Sequence, residues 1–314
     1  MPMTPVFIDT DAGTDVDDAL ALAFAAKSRQ IRLVGVGTVS GNAPLRARIA
    51  ANVLGAAGCL TAKVAAGVSS EDGMVGHEGK GFLEWQGEKA SILEQNASDF
   101  LAETVNHATE ALSIVGIGPL TNIAKSFREH PEILKKINRL YLMGGSIYPE
   151  KLLQLNHATL PELYVRRFET NFNSNIEAAK LVLESGVPIT IVPIEITAQT
   201  FLTAEDLLAL QASGTPLSQM LVGGVNIWIP IFTEILGRIG MPQAFAKPYL
   251  HDPLTVAAVT HPELFDCTPM HIYPTVQNGV FCTMTDGGKA PNMDVVTGVD
   301  VPAFRKILLE RLTA

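Results

Sequence analysis

Phe7-Ile8-Asp9-Thr10-Asp11-Ala12-Gly13-Thr14-Asp15-Val16-Asp17-Asp18-Ala19-Leu20 places five aspartates within ten residues, between an apolar run and a segment rich in alanine and leucine. Residues 5–8 read as a buried strand and 17–28 as a helix, so the acidic stretch is a strand-to-helix turn. The pattern continues outward. Residues 31–39 read as a second strand, and 46–58 as a second helix with apolar positions at 49, 53, 54 and 57. Residues 113–117, 140–143 and 189–194 read as further buried strands, each beside a helix-length segment. This alternation predicts an α/β fold with an open, mostly parallel central sheet flanked by helices and a Rossmann-like core. The last third is less regular: 272–296 alternates weakly, with Gly287-Gly288 as the expected hairpin turn. No linker or repeat interrupts the chain, and one domain over 1–314 is expected.

Composition narrows the partners. The chain has 314 residues, 47% apolar and 18% charged, enough for a large core and unlike a disordered chain. A formal charge of -9 without a run of Lys or Arg argues against nucleic acid and suits either a bound cation or plain solubility. Cys59, Cys267 and Cys282 are few, odd in number and far apart, unlike a disulfide framework or a zinc site. The cytoplasm is the expected compartment, with no room for a signal peptide before the first strand and no uninterrupted apolar stretch near ~18 residues to enter a membrane.

Ligands of open α/β sheets bind beyond the carboxyl ends of the strands, where the polar clusters of this chain fall. Residues 9–18 follow the first strand and Gly41-Asn42 the second. Gly118-Pro119-Leu120-Thr121-Asn122 follows a third and Met143-Gly144-Gly145 a fourth. Five crowded carboxylates repel one another, and hard divalent cations with oxygen ligands are the usual remedy. The bland account is a solvated turn whose aspartates cap the next helix. Spacing excludes an EF-hand, because counting from Asp9 the sixth position is Thr14 and the twelfth Leu20. Asp9 to Thr14 also resembles the D-x-D-x-T loop of haloacid-dehalogenase-type Mg²⁺ phosphatases, with Thr14 displaced by one and their later Lys and paired Asp not evident.

Beyond this loop the chain resembles the inosine-uridine nucleoside hydrolase family, whose amino-terminal signature is D-x-D-P-G-x-D-D-A. Ser40-Gly41-Asn42 and the Gly76-His77-Glu78-Gly79-Lys80-Gly81 loop are similar to family segments. So are Gly118-Pro119-Leu120-Thr121-Asn122-Ile123-Ala124, Leu142-Met143-Gly144-Gly145, Glu169-Thr170-Asn171 with Glu177-Ala178-Ala179, and His251-Asp252-Pro253. Their shared order across most of the chain makes the resemblance specific. It implies hydrolysis of the N-glycosidic bond of ribonucleosides through an oxocarbenium-like transition state, with water held by Ca²⁺. It also implies Asp11, Asp18, Asp252 and the Ile117 carbonyl as calcium ligands, with Asp11 doubling as general base. Asp17 would bind ribose, and Asn42, Glu169 and Asn171 the sugar hydroxyls or the water. A homo-oligomer, dimer or tetramer, is expected. A phosphatase using Asp9 and Asp11, or a silent nucleoside binder, are the rival outcomes.

The chain departs from the family pattern in two ways. Ala12 stands where proline is usual, and two additional residues precede the Asp-Asp pair, so an ungapped match would put Val16 on a metal ligand. Valine cannot ligate calcium, which favours Asp17 and Asp18 and leaves Asp15 as a helix cap or an additional participant. His251, beside a ligand, is the candidate acid for the departing base, and His77 the second candidate on its Gly-rich loop. The other histidines, His157 included, are given no chemistry. Trp228 and Phe232 are four residues apart, stacked if helical despite Pro230, and together with Met143 could face the base; an aromatic pair at that spacing is more often core.

Overall fold

A computed structural model describes residues 3–71, 76–155, 160–238 and 246–314. His157 lies outside them. The strands are β1 (Thr4–Thr10), β2 (Ile31–Thr38), β3 (Lys63–Ala66), β4 (Ile92–Leu93), β5 (Leu112–Gly116), β6 (Ile137–Met143), β7 (Ile189–Val192), β8 (Phe265–Met270), β9 (Ile272–Gln277), β10 (Val280–Thr285) and β11 (Met293–Val299). The helices are α1 (Asp17–Lys27), α2 (Ala43–Ala56), α3 (Ala97–His107), α4 (Thr121–Glu129), α5 (Pro149–Leu155), α6 (Glu162–Arg167) and α7 (Thr170–Asn173). They continue with α8 (Ile176–Leu183), α9 (Ile194–Thr197), α10 (Ala204–Ser213), α11 (Pro216–Arg238), α12 (His251–Thr260) and α13 (Val301–Leu312).

Among the described residues, nine strands form one sheet in the order β4-β3-β2-β1-β5-β6-β7-β11-β8. Its pairs are parallel except β11 with β8 at the edge. The chain runs from β1 outward through β2, β3 and β4, then returns to the other side of β1 as β5. Strand order therefore reverses between β1 and β5, and their carboxyl ends flank the crevice that such a switch point opens.

Side chains alternate across β1, so Val6 and Ile8 enter one core while Phe7 enters the other. The first core takes α1, α2, α11, α12 and α13, and the second α3, α4 and α8. Helix α1 is buried all round, from Asp17 to Ala25. A helix apolar on every face belongs in an interior, and this one carries Asp17 and Asp18 inward on its first turn.

Three sequence expectations shift. The second helix begins at Ala43, not 46, because Asn42 caps it and Pro44 fits its first turn. The strand expected over 189–194 ends at Val192, since Pro193 has no N–H to continue the ladder and α9 starts behind it. The hairpin turn is Asn278-Gly279, not Gly287-Gly288: β9 and β10 pair from Gln277 with Val280, and both turn residues have positive φ (50° and 76°). Asn-Gly is the pair that a two-residue hairpin loop favours. Helix α11, at 23 residues, is long and apolar enough by length and composition to cross a membrane. Asn226, Pro230 and Glu234 break up the apolar run that a sequence scan counts, and Leu217, Leu221, Val225 and Trp228 are buried in the first core.

Asn122, at the start of α4, ties the switch point together. Its amide donates to Asp9 Oδ1 at 2.8 Å and to the Thr38 carbonyl at 3.0 Å, and its Oδ1 accepts from the Val68 N–H at 2.9 Å. A buried polar group stripped of its partner costs roughly 1–3 kcal/mol. Asn122→Ala, which strips three groups, should therefore lower the urea midpoint with an unchanged m-value; an unmoved midpoint would remove Asn122 from this role.

Candidate active site

The turn after β1 brings the five aspartates to different places. Asp9 points down into the structure, where Asn122 holds it; burial raises its pKa to about 7, against the lowering effect of that bond. It does not line the cavity beyond the strand ends, so a phosphorylated-aspartate role for Asp9 has no access to substrate. Asp11, Asp15, Asp17 and Asp18 do line that cavity, which has a volume of about 350 Å³, and Asp252 joins them from the first turn of α12. Gly13 turns the loop with φ at 121°, a backbone state that a side chain resists.

Burial raises the pKa of each cavity aspartate, and repulsion from neighbouring carboxylates adds to it for Asp15, Asp17, Asp18 and Asp252. Asp15 reaches about 7, while Asp17, Asp18 and Asp252 lie well above the usual carboxylate value. Several contacts work in the opposite direction. Thr10 Oγ1 donates to Asp18 Oδ1, and the Asp252 N–H donates to Asp17 Oδ2 at 3.4 Å. Asp17 and Asp18 sit at the amino end of α1, and Asp252 at that of α12, where helix dipoles favour anions. Arg46, fully buried, lowers the pKa of Asp11 and Asp18 by its charge. Its guanidinium also donates to the carbonyls of Asp11 and Ser40, the latter at 2.9 Å, and to Thr14 Oγ1 at 2.8 Å.

Oxygens of Asp17, Asp18 and Asp252 lie within 4.8 Å of one another, all three residues buried. A hard cation taking 6–8 oxygens at ~2.3–2.6 Å suits such a donor set. Asp17 thus stands with the cation-sized cluster, although the sequence comparison set it apart for ribose. Ile117 lines the same cavity, and its carbonyl accepts from Asn171 Nδ2 at 3.1 Å. Asn171 also donates to the Met143 carbonyl at 3.1 Å, which joins the ends of β5 and β6 through one side chain. Glu169 caps α7 by accepting from the Phe172 N–H; burial pushes its pKa up to about 7. Glu169, Asn171 and Met143 all line the cavity.

The rest of the lining is largely apolar: Leu152, Phe168, Ile194, Phe232, Ile235 and Leu236, with Tyr249 beside His251. His251 Nδ1 lies 2.6 Å from Thr197 Oγ1, and burial lowers the imidazole pKa to about 4, so the ring is neutral near pH 7.

Three residues expected at the site stand elsewhere. Asn42 is exposed and spends its Oδ1 on the Leu45 N–H, 3.0 Å away, as the cap of α2. Trp228 is buried behind Phe232, with ring centroids 4.5 Å apart and planes at 16°, so only Phe232 reaches the cavity. His77 does not line it either: Nε2 lies 2.9 Å from the Thr14 carbonyl and steadies the acidic loop from behind. Sequence reading missed Arg46, Phe168, Thr197 and Tyr249. Only Arg46 left a signal, as a charge one turn before Ile49 and two before Val53 on an otherwise apolar stripe.

The model of the inosine-uridine preferring nucleoside hydrolase family matches residues 6–306. The chain belongs to this family. It is therefore an N-glycosyl hydrolase, and the family's reaction is cleavage of the base from a ribonucleoside. A probable uridine nucleosidase 2 of Arabidopsis thaliana is 27% identical over 98% of this chain and 97% of its own. The pyrimidine-specific ribonucleoside hydrolase RihA of Escherichia coli is 28% identical, with 98% of each chain covered. Among solved structures, the purine-preferring ribonucleoside hydrolase of Gardnerella vaginalis superposes with a TM-score of 0.80 at 26% identity, covering 99% of this chain and 98% of that one.

The raised carboxylate pKa values carry a pH signature. Asp9, Asp15 and Glu169 hold protons up to about 7 when folded but release them near 4 when unfolded. Between those values the folded state binds more protons, so stability is fully present below about pH 4 and falls as pH rises toward 7. In chelator, Tm should drop across that window. A chelated protein whose Tm rises from pH 5 to 7 would contradict this.

Proposed function

We propose that this protein is a calcium-dependent ribonucleosidase that grips the sugar tightly and the base loosely. The observation that carries this is the mixed lining of the cavity: carboxylates and amides make one part of it, and apolar side chains another. Ribose offers several hydroxyls to the first, and a flat nucleobase suits the second. Asp11, Asp18, Asp252 and the Ile117 carbonyl are the proposed calcium ligands, with Asp17 close enough to share the ion or turn its free oxygen to a ribose hydroxyl. Bound there, calcium supplies positive charge that acidifies a water molecule and grips the sugar diol.

The chain's own groups divide the remaining work. Asp11 accepts the proton of the attacking water. Glu169 and Asn171 receive sugar hydroxyls, and the surrounding carboxylates favour the positive charge that builds on the ribosyl ring as the bond to the base breaks. His251, neutral near pH 7, faces the departing base as a hydrogen-bond donor. Phe232 and Phe168 offer apolar surface to bases of either size, in keeping with relatives named for purines and for pyrimidines.

Incubation with a panel of nucleosides should release free ribose, stop in chelator and resume on addition of calcium. Asp11→Asn keeps the shape but cannot take a proton, so kcat should fall by ~10²–10⁴-fold with a much smaller change in KM. 2′-Deoxynucleosides should react far more slowly, because a site built for a hydroxyl leaves its polar groups unpaired without one. Ribose release that persists in chelator would sink the calcium assignment, and equal rates on deoxy substrates the sugar-first reading. No release from any nucleoside would point to a silent binder.

A further inference from the structure

The geometry points to Asn173 as a positioning residue that fixes the segment 169–171 to the outer edge of β10, so that the β9–β10 hairpin takes part in ribose recognition. This rests on the proposed role of Glu169 and Asn171 in holding sugar hydroxyls. Asn173 itself does not line the cavity. Its amide makes three hydrogen bonds. Nδ2 donates to the Glu169 carbonyl at 2.7 Å and to the Arg166 carbonyl at 3.1 Å, and Oδ1 accepts from the Phe281 N–H at 2.8 Å. Carbonyls only accept and a backbone N–H only donates, so the partners themselves fix which end of the amide is nitrogen.

The segment needs such an anchor. Helix α7 is one turn, Thr170–Asn173, and so short a helix has too few internal bonds to hold its own place. Within it the Glu169 carboxylate accepts from the Phe172 N–H at 3.1 Å, and Asn171 spends its amide on the carbonyls of Ile117 and Met143. Asn173 holds the backbone of the same turn from the other side, at the Glu169 carbonyl.

Its counterpart on β10 is built to receive it. Phe281 and Thr283 stand opposite Val276 and Pro274 in the hairpin, and Pro274 has no N–H to give. Backbone groups two residues apart on a strand point the same way, so those of Phe281 and Thr283 face away from β9. Both are taken by the segment that leads into the site: the Phe281 N–H by Asn173, and the Thr283 carbonyl by the buried Arg166 at 3.2 Å. The Phe281 ring adds an edge-on contact to Phe172, with centroids 5.7 Å apart. The hairpin forms a sheet of its own beside the nine-stranded one, and its outer edge finds its partners on α6 and α7.

The test compares Asn173→Ala, Asn173→Asp and Asn171→Ala on a ribonucleoside that the enzyme cleaves and on its 2′-, 3′- and 5′-deoxy counterparts, at saturating calcium. Counterparts too slow to assay are read as competitive inhibitors. Asn173→Ala should weaken ribonucleoside binding, read in KM, about tenfold, the order of one or two lost hydrogen bonds. The change in kcat should be smaller, as for a contact made equally before and during the reaction. The loss should nearly vanish on the deoxy sugar that lacks the hydroxyl held by 169–171, because no bond is left to misplace. Destabilisation alone would lower Tm and leave the ratios among sugars unchanged. Asn173→Asp keeps an acceptor for Phe281 but has no hydrogen for the two carbonyls, and it should follow Asn173→Ala. Equal losses on all four sugars, no loss on any, or wild-type behaviour of Asn173→Asp overturn the proposal. If Asn171→Ala itself loses equally on all four, the sugar reading of the segment fails and the proposal falls with it. If Asn171→Ala is selective and Asn173→Ala is not, only the role of Asn173 fails. Amide exchange of the wild-type protein gives a readout that needs no variant. The Phe281 N–H, although on the outer edge, should be protected like that of Cys282, which faces β9, and ribose should slow it further. A Phe281 amide that exchanges as fast as that of Gly279 in the turn overturns the proposal.

Discussion

The mutual repulsion of buried carboxylates is the constraint around which this molecule is organised. Asp11, Asp15, Asp17, Asp18 and Asp252 share a space of about 350 Å³, most of it walled by apolar side chains. Like charges at such separations cost several kcal/mol in a medium less polar than water, roughly 4 kcal/mol per pair at 4 Å for an effective dielectric near 20. The fold answers with two helix amino termini, a buried guanidinium and a threonine hydroxyl aimed at the cluster. These oppose the cost without removing it: burial first, and the neighbouring carboxylates after it, still hold the pKa values up. Carboxylates crowded and buried in this way form a donor set of the kind that hard cations favour.

Holding such a site requires a frame that does not yield. Helix α1 supplies it by being buried from Asp17 to Ala25, so Asp17 and Asp18 cannot swing out to water. Arg46 and Asn122 fix the loop before it: the first binds the Asp11 carbonyl and Thr14, the second binds Asp9 and the neighbouring strand. His77 adds a contact to the Thr14 carbonyl from the opposite side. None of these three lines the cavity, yet each decides where an aspartate stands. Strain at a functional turn persists only when surrounding contacts over-determine it.

The polar and apolar parts of the lining come from different elements. Elements at the switch point, β1, β5 and β6 with α1, α7 and α12, bring carboxylates, amides and the Ile117 carbonyl. Helix α11 brings Phe232, Ile235 and Leu236, and Phe168 and Tyr249 complete the apolar side. His251 lines the same cavity, next to Asp252 in sequence and beside Tyr249 in space.

The sequence by itself determined the alternation of strands and helices, because burial and backbone period are local properties of a chain. It also determined which carboxylates are available, since five aspartates after a buried strand are a chemical fact before any folding. What a residue with two possible uses does was decided by tertiary structure. Asn42 has an amide fit for a sugar or a helix cap, and the free N–H of Leu45 three residues on claimed it. Trp228 and Phe232 share one helix face, but only the depth of packing put Trp228 behind its partner. Asn278-Gly279 and Gly287-Gly288 both can turn, and strand pairing selected the former. Arg46, Thr197 and Tyr249 acquire meaning from partners 35, 54 and, for the Tyr249 bridge to Phe201, 48 positions away. A hydrogen bond across such a distance depends on where two separate elements dock, and no local pattern in the chain encodes that.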